Sequence, residues 1–453
     1  MRFLSELKFE RLPSSVIERT KMHILDTLGC AIAGARSPEG TIIARIIQSL
    51  DKNGEATVIG NTYTASCINA ALVNATAGHA LEFDDLQLKA RVHPGVIVVP
   101  AAISVAERVG AGGETLIVAV VAGYEAMIRV AYGLSLEIHE DGFYPTGLFG
   151  IFGAAAAASK VLDLTDAKMA SALGLAGVQS SGLSISEYSG AMSKRLHPGI
   201  AARDGVTAAL LAEQGFTGPM EIFDGEYGFL NVYSERQYPK RMLDKLGERY
   251  EIMTAGFKAY ACCGLLHTSI DAVTAILETK RIEPEDVKRI TIKTNKQIAR
   301  DYGKRYAPKS TIEAQFSVPY AVASAAIRGS AFVKDFSGRA ITDRNILSFA
   351  SKIRVVADGQ VEKLLPRMFC VVAEVETKDC KKYRKLVRYP KGHPQNPMTS
   401  DELRTKFREL GALVLGRRRV DKIIRVVNDL DRLKRVTRLT NLLQSTRPRL
   451  RRA

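Results

Sequence analysis

The chain has no tryptophan and only six cysteines among its 453 residues. These cysteines form no CxxC pair and have no regular spacing, which argues against a disulfide framework. They are Cys30, Cys67, Cys262, Cys263, Cys370 and Cys380. We interpret the adjacent Cys262 and Cys263 as buried, inert thiols. The cysteine pattern favours a reducing compartment, so we expect a cytoplasmic protein.

Targeting segments and common cofactor motifs are also missing. Residues 1–11 mix charged and apolar side chains, so we expect no signal peptide. The most apolar stretches, residues 96–106 and 116–128, are short of a membrane span, and the second contains Glu125. No GxGxxG follows a predicted strand, and no GxxxxGK[ST] or GxSxG is present. The sequence therefore predicts no membrane segment, no nucleotide-binding loop and no serine-hydrolase elbow.

The positive charge is concentrated at one end of the chain. The formal net charge is +16, and residues 417–453, with thirteen Lys or Arg against three Asp, carry +10 of it. Apolar residues in this segment, from Val420 to Leu433, keep helical spacing, which predicts a docked amphipathic helix. Only residues 447–452 are interpreted as a loose basic tail. We therefore expect no nucleic-acid partner, although steep salt dependence of binding would indicate one.

Two kinds of patterning follow one another along the chain. Before about residue 250, Ala, Leu, Val and Gly recur at helical spacing. Helices are predicted at residues 15–33, 65–81, 98–109, 114–132, 150–162 and 200–214. After about residue 255, strands are predicted at residues 288–294, 353–357, 371–377 and 383–388, with helices at 267–280 and 317–328. We expect a mainly α protein, in which residues 1–255 and 398–453 form a large all-helical domain and residues 256–397 an inserted α+β lid domain.

Three carboxylates follow an almost wholly apolar predicted helix. They are Glu82, Asp84 and Asp85, and His93 comes eight residues later, in front of a proline. Buried acids are costly unless they bind something or transfer protons, and the unperturbed pKa of histidine suits proton transfer near neutrality. The alternatives are structural: Asp84 or Asp85 could cap the next helical turn, and His93 could bond a main-chain carbonyl.

Cations at other points of the chain suggest anion binding. Lys194 and Arg195 precede the helix predicted to start near Ile200, and a helix N-terminus flanked by cations is an anion site. Lys258 lies between aromatic residues at the predicted domain boundary, where it could reach a cleft or simply snorkel. His267 begins an apolar helix, and Tyr320 lies on a second helix; both could equally be core residues.

No metal ligand set is predicted. The seven histidines show no HxxxH or HExxH spacing. A metal could still be assembled from Asp84, Asp85 and His93, but the same residue types form metal-free acid–base sites. We therefore expect neither a metal nor an organic cofactor.

Several segments resemble the MmgE/PrpD family. Residues 79–85 (His-Ala-Leu-Glu-Phe-Asp-Asp) with His93-Pro-Gly95 are similar to its HALDFDD…HPG signature. Residues 142–147 (Gly-Phe-Tyr-Pro-Thr-Gly) and 192–199 (Met-Ser-Lys-Arg-Leu-His-Pro-Gly) are similar to two further motifs, and the resemblance extends over nearly the whole chain. The family includes 2-methylcitrate dehydratases, cis-aconitate decarboxylases and iminodisuccinate epimerases. The resemblance implies a helical domain with a smaller α+β lid, a homodimer, and an active site between domains without metal or cofactor.

The resemblance also implies roles for individual residues. The first carboxylate position of the motif falls on Glu82, where related enzymes often have aspartate, and the loop histidine falls on His93. The histidine of the Gly-Phe-His-Pro-Thr-Gly motif is Tyr144 here, a departure for which His139 could substitute. The remaining motif positions give Lys194, Lys258, His267 and Tyr320.

Together with these residues, the resemblance implies a lyase that dehydrates a 2-methylcitrate-like tricarboxylate in propionate metabolism. His93 would transfer the proton, oriented by Glu82 or Asp84, and Tyr144 or Tyr320 would protonate the leaving hydroxyl. Substrate carboxylates would be bound by Lys194, Arg195, Lys258 and His267. The alternatives are a cis-aconitate-type decarboxylase, an α-carbon epimerase of the same family and a catalytically silent member.

Overall fold

The computed structural model describes residues 1–51, 54–134, 136–364 and 369–445. The chain divides into two compact units, Met1–Gly256 with Thr399–Ala453, and Phe257–Met398. Helices predominate and the sheets are small, so the mainly α class is confirmed. The predicted basic tail, residues 447–452, lies outside the described residues.

The amino-terminal part of the first unit is a bundle of helices around one apolar core. Its α-helices are α1 (Arg2–Ser5), α2 (Ser14–Gly34), α3 (Pro38–Leu50), α4 (Cys67–His79), α5 (Gly95–Val109), α6 (Gly113–Tyr132), α7 (Pro145–Val161), α8 (Asp166–Gly177), α9 (Ile185–Ser189), α10 (Ser193–Glu213), α11 (Phe229–Tyr233) and α12 (Pro239–Met242). Two short strands, β1 (Ala56–Thr57) and β2 (Thr64–Ala65), pair antiparallel.

Three helices, α5, α7 and α10, begin at least three residues earlier than predicted, and each has a proline near its start. Pro94 directly precedes α5 and Pro145 is the first residue of α7, where the missing N–H of proline costs nothing. Helix α10 begins at Ser193 and continues through Pro198. The prediction of a helix starting near Ile200 was therefore wrong, and Lys194 and Arg195 lie within the first turn of α10 rather than before it.

Helix α6 is longer than the apolar stretch predicted from the sequence. Its 20 residues would be long and apolar enough to cross a membrane, but 94% of its 18-residue apolar window is buried inside the protein. Such burial is what a core helix of a helical bundle shows. Helix α6 packs against α7, α5 and α2 within the first unit.

The second unit contains a four-stranded mixed sheet. Its strands are β3 (Val287–Thr294), β4 (Ile353–Ala357), β5 (Val371–Thr377) and β6 (Lys382–Val387), each within one residue of its predicted bounds. The order is β4-β3-β5-β6; β3 and β4 are parallel, and the other two pairs are antiparallel. The helices of this unit are α13 (His267–Lys280), α14 (Lys296–Asp301), α15 (Thr311–Gln315), α16 (Val318–Arg328), α17 (Arg344–Ala350) and α18 (Gly359–Glu362).

The carboxyl-terminal segment returns to the first unit. It forms α19 (Ser400–Ala412), α20 (Arg417–Asn428) and α21 (Thr437–Thr440). Helix α19 packs against α2, and α20 buries an apolar stripe that includes Val420, Ile423 and Val427. The predicted docked amphipathic helix is therefore confirmed.

Close contact between α10 and α4 brings distant segments together. A Cβ atom on Gly199 would lie 2.1 Å from Oγ1 of Thr76 and 2.7 Å from the main-chain oxygen of Leu72. Only glycine permits this approach of the two helix backbones. As a result, the first turn of α10 lies beside the end of α4, where His79 is the last helical residue.

Candidate active site

The turn after α4 carries a set of buried polar residues. Glu82 adopts the left-handed conformation with φ of 54°, which is uncommon outside glycine, and its side chain is buried. His79, Asp84 and Asp85 are fully enclosed, each with 0% exposure. The predicted crowding of acids at the end of a buried helix is therefore present in the structure.

Asp84 connects two histidines. Its Oδ2 lies 3.0 Å from Nδ1 of His79 and 2.9 Å from Nδ1 of His93. Nδ1 of His93 also lies 2.8 Å from the main-chain oxygen of Asp85. The main-chain N–H of His93 donates to the Thr146 hydroxyl at 3.2 Å. Because a carboxylate only accepts hydrogen bonds, this network assigns the proton of each neutral ring to Nδ1 and leaves Nε2 as an acceptor.

Tyr144 and Lys194 meet the second nitrogen of His79. The Tyr144 hydroxyl lies 2.8 Å from Nε2 of His79, and Nζ of Lys194 lies 3.1 Å from the same atom. The Lys194 ammonium also lies 5.2 Å from the centre of the Tyr144 ring. Three segments therefore converge on one imidazole: the end of α4, the residue before α7 and the start of α10.

Two cations share one carboxylate beside this imidazole. Nζ of Lys194 lies 3.0 Å from Oε2 of Glu82, and the Arg195 guanidinium donates to the same oxygen. A second carboxylate oxygen, on Glu187, lies 3.7 Å from Nζ of Lys194. Charges enclosed in this way persist only because they are paired.

Burial sets the protonation of the central groups. Burial, only partly offset by Asp84, lowers the pKa of His79 to about 3, so the ring is neutral at pH 7. Burial alone would raise the pKa of Asp84, but the two neighbouring imidazoles hold it well below its usual range. Burial, with Glu187 and Glu82 nearby, raises the pKa of Tyr144 well above its usual range. Tyr144 therefore keeps its proton at neutral pH and can donate a hydrogen bond.

The same histidines could also hold a metal ion. His79, Asp84 and His93 each offer one ligand atom, and these atoms lie within 4.8 Å of one another. The nitrogen–oxygen distances of 2.9 and 3.0 Å are equally those of a carboxylate that accepts two N–H bonds. The absence of a resident metal thus stays a prediction, which treatment with a chelator can test.

The structure groups six of the predicted site residues within the first unit. They are Glu82, Asp84, His93, Tyr144, Lys194 and Arg195. Asp85, weighed as a helix cap, does accept the N–H of Gly95 at the start of α5, at 2.8 Å. His139, the suggested substitute for the motif histidine, instead contacts Glu187, with Nε2 3.0 Å from its carboxylate.

The other three predicted residues belong to the second unit. Lys258 is 1% exposed. Nε2 of His267 lies 3.3 Å from the main-chain oxygen of Cys262, and the Tyr320 hydroxyl donates to the main-chain oxygen of Asp335 at 2.8 Å. Their functional roles stay predictions.

His79 was missing from the predicted site. Its spacing of five residues from Asp84 matches no ligand or catalytic signature, and its helix has no other ionisable residue except Cys67. The available signal was its position at the head of the acidic motif, one helical turn before Glu82.

Comparisons with known proteins identify the family of this chain. The family model described as MmgE/PrpD N-terminal domain matches residues 1–242, and that of the MmgE/PrpD C-terminal domain matches residues 260–432. The chain belongs to the MmgE/PrpD family. The resemblance inferred from the acidic motif and its two companions is thereby confirmed.

Curated relatives cover nearly the full length. A cis-aconitate decarboxylase-like protein of Aspergillus oryzae is 29% identical over 97% of this chain and 95% of its own. A cis-aconitate decarboxylase of Aspergillus terreus is 28% identical over 97% of this chain and 94% of its own. A cis-aconitate decarboxylase of Homo sapiens is 28% identical over 98% of this chain and 93% of its own.

Proposed function

We propose that this protein is a lyase acting on a small tricarboxylate, and that it decarboxylates a cis-aconitate-like acid. The observation that carries the proposal is the pairing of Lys194 and Arg195 with a carboxylate-held pair of histidines in one buried cluster. The full-length similarity to cis-aconitate decarboxylases favours this reaction over the dehydration of 2-methylcitrate that the sequence analysis put first.

The cations suit a substrate with several negative charges. In the described structure Glu82 pairs with both Lys194 and Arg195, and its single negative charge balances only one of the two cations. A tricarboxylate can take over part of this pairing, because charge-assisted bonds to carboxylates are strong in a desolvated site. The same cations would stabilise negative charge that develops on the reacting acid.

Decarboxylation requires a proton donor. Cleavage of the carbon–carbon bond releases CO₂ and leaves an electron pair, which shifts along the allylic system and is protonated at the former vinyl carbon. One proton is consumed for each CO₂ released, and the product is a five-carbon unsaturated dicarboxylate.

His93 is the residue we assign to this transfer. Its side chain is 10% exposed, whereas that of His79 is fully enclosed. Asp84 and the main-chain oxygen of Asp85 fix the ring through Nδ1, so the imidazolium form would deliver its Nε2 proton to the reacting carbon and return to the neutral ring. Tyr144, held by His79, would orient a substrate carboxylate or donate the proton itself.

Dehydration of a 2-methylcitrate-like acid is the second candidate. It needs a base at the α-carbon and an acid at the leaving hydroxyl. His93 and Tyr144, joined through His79 and Asp84, could supply this pair. A homodimer is part of either proposal, as are the predicted substrate contacts of Lys258 and His267 and the proton-donor role of Tyr320.

Product analysis separates the candidates. Purified protein is incubated with cis-aconitate, 2-methylcitrate and citrate, with and without EDTA, and products are identified by mass. Loss of CO₂ from cis-aconitate despite EDTA supports a metal-free decarboxylase, loss of water supports the dehydratase, and an unchanged mass with inverted stereochemistry indicates an epimerase. Activity lost with EDTA and restored by metal would contradict the cofactor-free proposal.

Variants connect the reaction to the cluster. His93→Ala should lower kcat by about 10²–10⁴-fold, the usual contribution of an acid–base residue. His393→Ala is the matched control and should keep wild-type kcat. His393 belongs to the second unit, where its ring stacks on Tyr389. Near-wild-type activity of folded His93→Ala would rule out the assigned role.

A further inference from the structure

Asp85 faces a different set of partners from Asp84. Its Oδ2 accepts the hydroxyl proton of Tyr124 at 2.6 Å and lies 2.9 Å from Nδ1 of His23. Its Oδ1 accepts the N–H of Gly95 at 2.8 Å. Tyr124, His23 and Asp85 are all 0% exposed. The carboxylate is therefore held by α2, α6 and the start of α5 together.

The same residue reaches His93 along two routes. Its main-chain oxygen lies 2.8 Å from Nδ1 of the His93 ring. Its side chain binds Gly95, which is separated from His93 only by Pro94. Because the proline fixes one backbone torsion of this tripeptide, fixing Gly95 also limits where the histidine backbone can lie.

Space at this contact is fully used. A Cβ atom on Gly95 would lie 2.5 Å from Oγ1 of Thr27, 2.8 Å from Oδ1 of Asp85 and 2.9 Å from the Tyr124 hydroxyl. A carboxylate buried this deeply is costly unless donors satisfy it; the Tyr124 hydroxyl and the Gly95 N–H donate to it, and Nδ1 of His23 lies 2.9 Å away. The close packing and the hydrogen bonds therefore hold the Asp85 carboxylate and Gly95 in one relative position.

We propose that Asp85 is a positioning residue for His93, holding the ring through its main-chain oxygen and the loop through its carboxylate, with Tyr124 and His23 keeping that carboxylate in place. This inference rests on the proposed function for its effect on turnover. Its structural part, the fixed orientation of the His93 ring, is independent of the substrate.

The test compares two variants with one control. Asp85→Asn keeps the side-chain shape but presents an amide to Tyr124 and His23, and Tyr124→Phe removes one donor and leaves Asp85 intact. Glu107→Gln is the matched control. Glu107 lies on α5, the helix whose first residue Asp85 binds, and its carboxylate accepts hydrogen bonds from Thr57 and Thr440.

Two readouts are taken from each protein. Histidine-selective ¹⁵N NMR follows the His93 ring, whose signals are assigned from their loss in His93→Gln, and steady-state kinetics separates kcat from KM. In Asp85→Asn we expect changed Nδ1 signals of His93 and a fall in kcat of about 10- to 100-fold with little change in KM. Tyr124→Phe should change the Nδ1 signals and kcat in the same direction but by a smaller amount. Glu107→Gln should leave the Nδ1 signals and kcat unchanged.

Unchanged His93 signals in folded Asp85→Asn, or an equal loss of kcat in Glu107→Gln, would overturn the proposal. If Asp85→Asn does not fold, Tyr124→Phe decides by the same two readouts. The ring signals need no substrate. A wild-type protein that converts none of the tested acids would therefore contradict the proposed function and leave the positioning role to the NMR result.

Discussion

The hydroxyl of Tyr144 lies 2.8 Å from Nε2 of His79, a nitrogen left as an acceptor because Asp84 binds the other side of the ring. Tyr144 occupies the position where the family motif has histidine. A phenol at this position is useful only as a donor, since burial raises its pKa well above the usual range. His79 provides the acceptor that aims this donor, so the departure from the motif fits the hydrogen-bond network around it.

Tyr144→Phe removes this donor and little else. We expect kcat to fall by about 10²–10⁴-fold, as for the loss of an acid–base group, while the fold is retained. Steady-state kinetics and thermal unfolding measure the two effects. Tyr63→Phe is the control, because it removes a hydroxyl bonded to the main-chain oxygen of Ala44. Tyr144→His should recover more activity than Tyr144→Phe; wild-type kcat in Tyr144→Phe would exclude a catalytic part for the hydroxyl.

Local patterning predicted most of the fold. Apolar periodicity located the long helices, and β-branched alternation located β3 to β6, because these signals are contained within single segments. The starts of α5, α7 and α10 were misjudged, since proline is read as an interruption. Pro94 and Pro145 lie where a helix begins and tolerates proline, whereas α10 begins at Ser193 and continues through Pro198.

The partners of the site residues could not be predicted in the same way. His79 meets Tyr144 across 65 residues and Lys194 across 115 residues of sequence. Such pairs arise from helix packing, here the close approach that Gly199 permits between α10 and α4. The motif resemblance supplied a set of candidate residues but not their contacts, which is why His79 was missed and why Asp85, unlike Asp84, was given no role beside His93.

Glu82→Gln should make the protein less stable and more responsive to ligand. The substitution takes away the charge that pairs with Lys194 and Arg195, and breaking a buried pair typically costs about 3–5 kcal/mol. A bound tricarboxylate would restore part of that pairing. Thermal shift with and without cis-aconitate should give a lower melting temperature but a larger ligand-induced increase than in wild type. The exposed Glu114→Gln is the control, and equal ligand-induced shifts in all three proteins would contradict the carboxylate-binding role.

His79 should make stability fall with decreasing pH. Its pKa is about 3 in the folded protein, whereas an unfolded histidine titrates near ~6.5. The unfolded chain therefore binds the extra proton between these values: the stabilising contribution is complete above ~pH 6.5 and is lost as the pH drops towards 3. Chemical denaturation at pH 7, 6 and 5 should give a smaller pH slope of the unfolding free energy in His79→Gln than in wild type, with the difference growing towards about 1.4 kcal/mol per pH unit below pH 6.

Other buried groups do not disturb this comparison. His23 and His197 also have lowered pKa values, while burial raises the pKa of Asp26 to about 6 and that of Glu125 to about 7. These groups are present in both proteins, so their contributions cancel in the difference between the two slopes. Identical slopes would show that folding does not lower the pKa of His79.

Lys406 should stabilise the site from the carboxyl-terminal segment. Its Nζ lies 2.7 Å from Oδ1 of Asp26 on α2 and donates to the main-chain oxygen of Phe83 at 2.6 Å, directly before Asp84. Lys406→Met keeps much of the side-chain volume but leaves the Asp26 carboxylate buried without this cation, so we expect a loss of about 3–5 kcal/mol in unfolding free energy.

Lys422→Met, at an exposed position of α20, is the control for this substitution and should change stability by less than about 0.5 kcal/mol. Adding Asp26→Asn to Lys406→Met should recover part of the loss, because the uncompensated charge is then removed. A double variant no more stable than Lys406→Met alone would show that the lysine acts through Phe83 and packing instead.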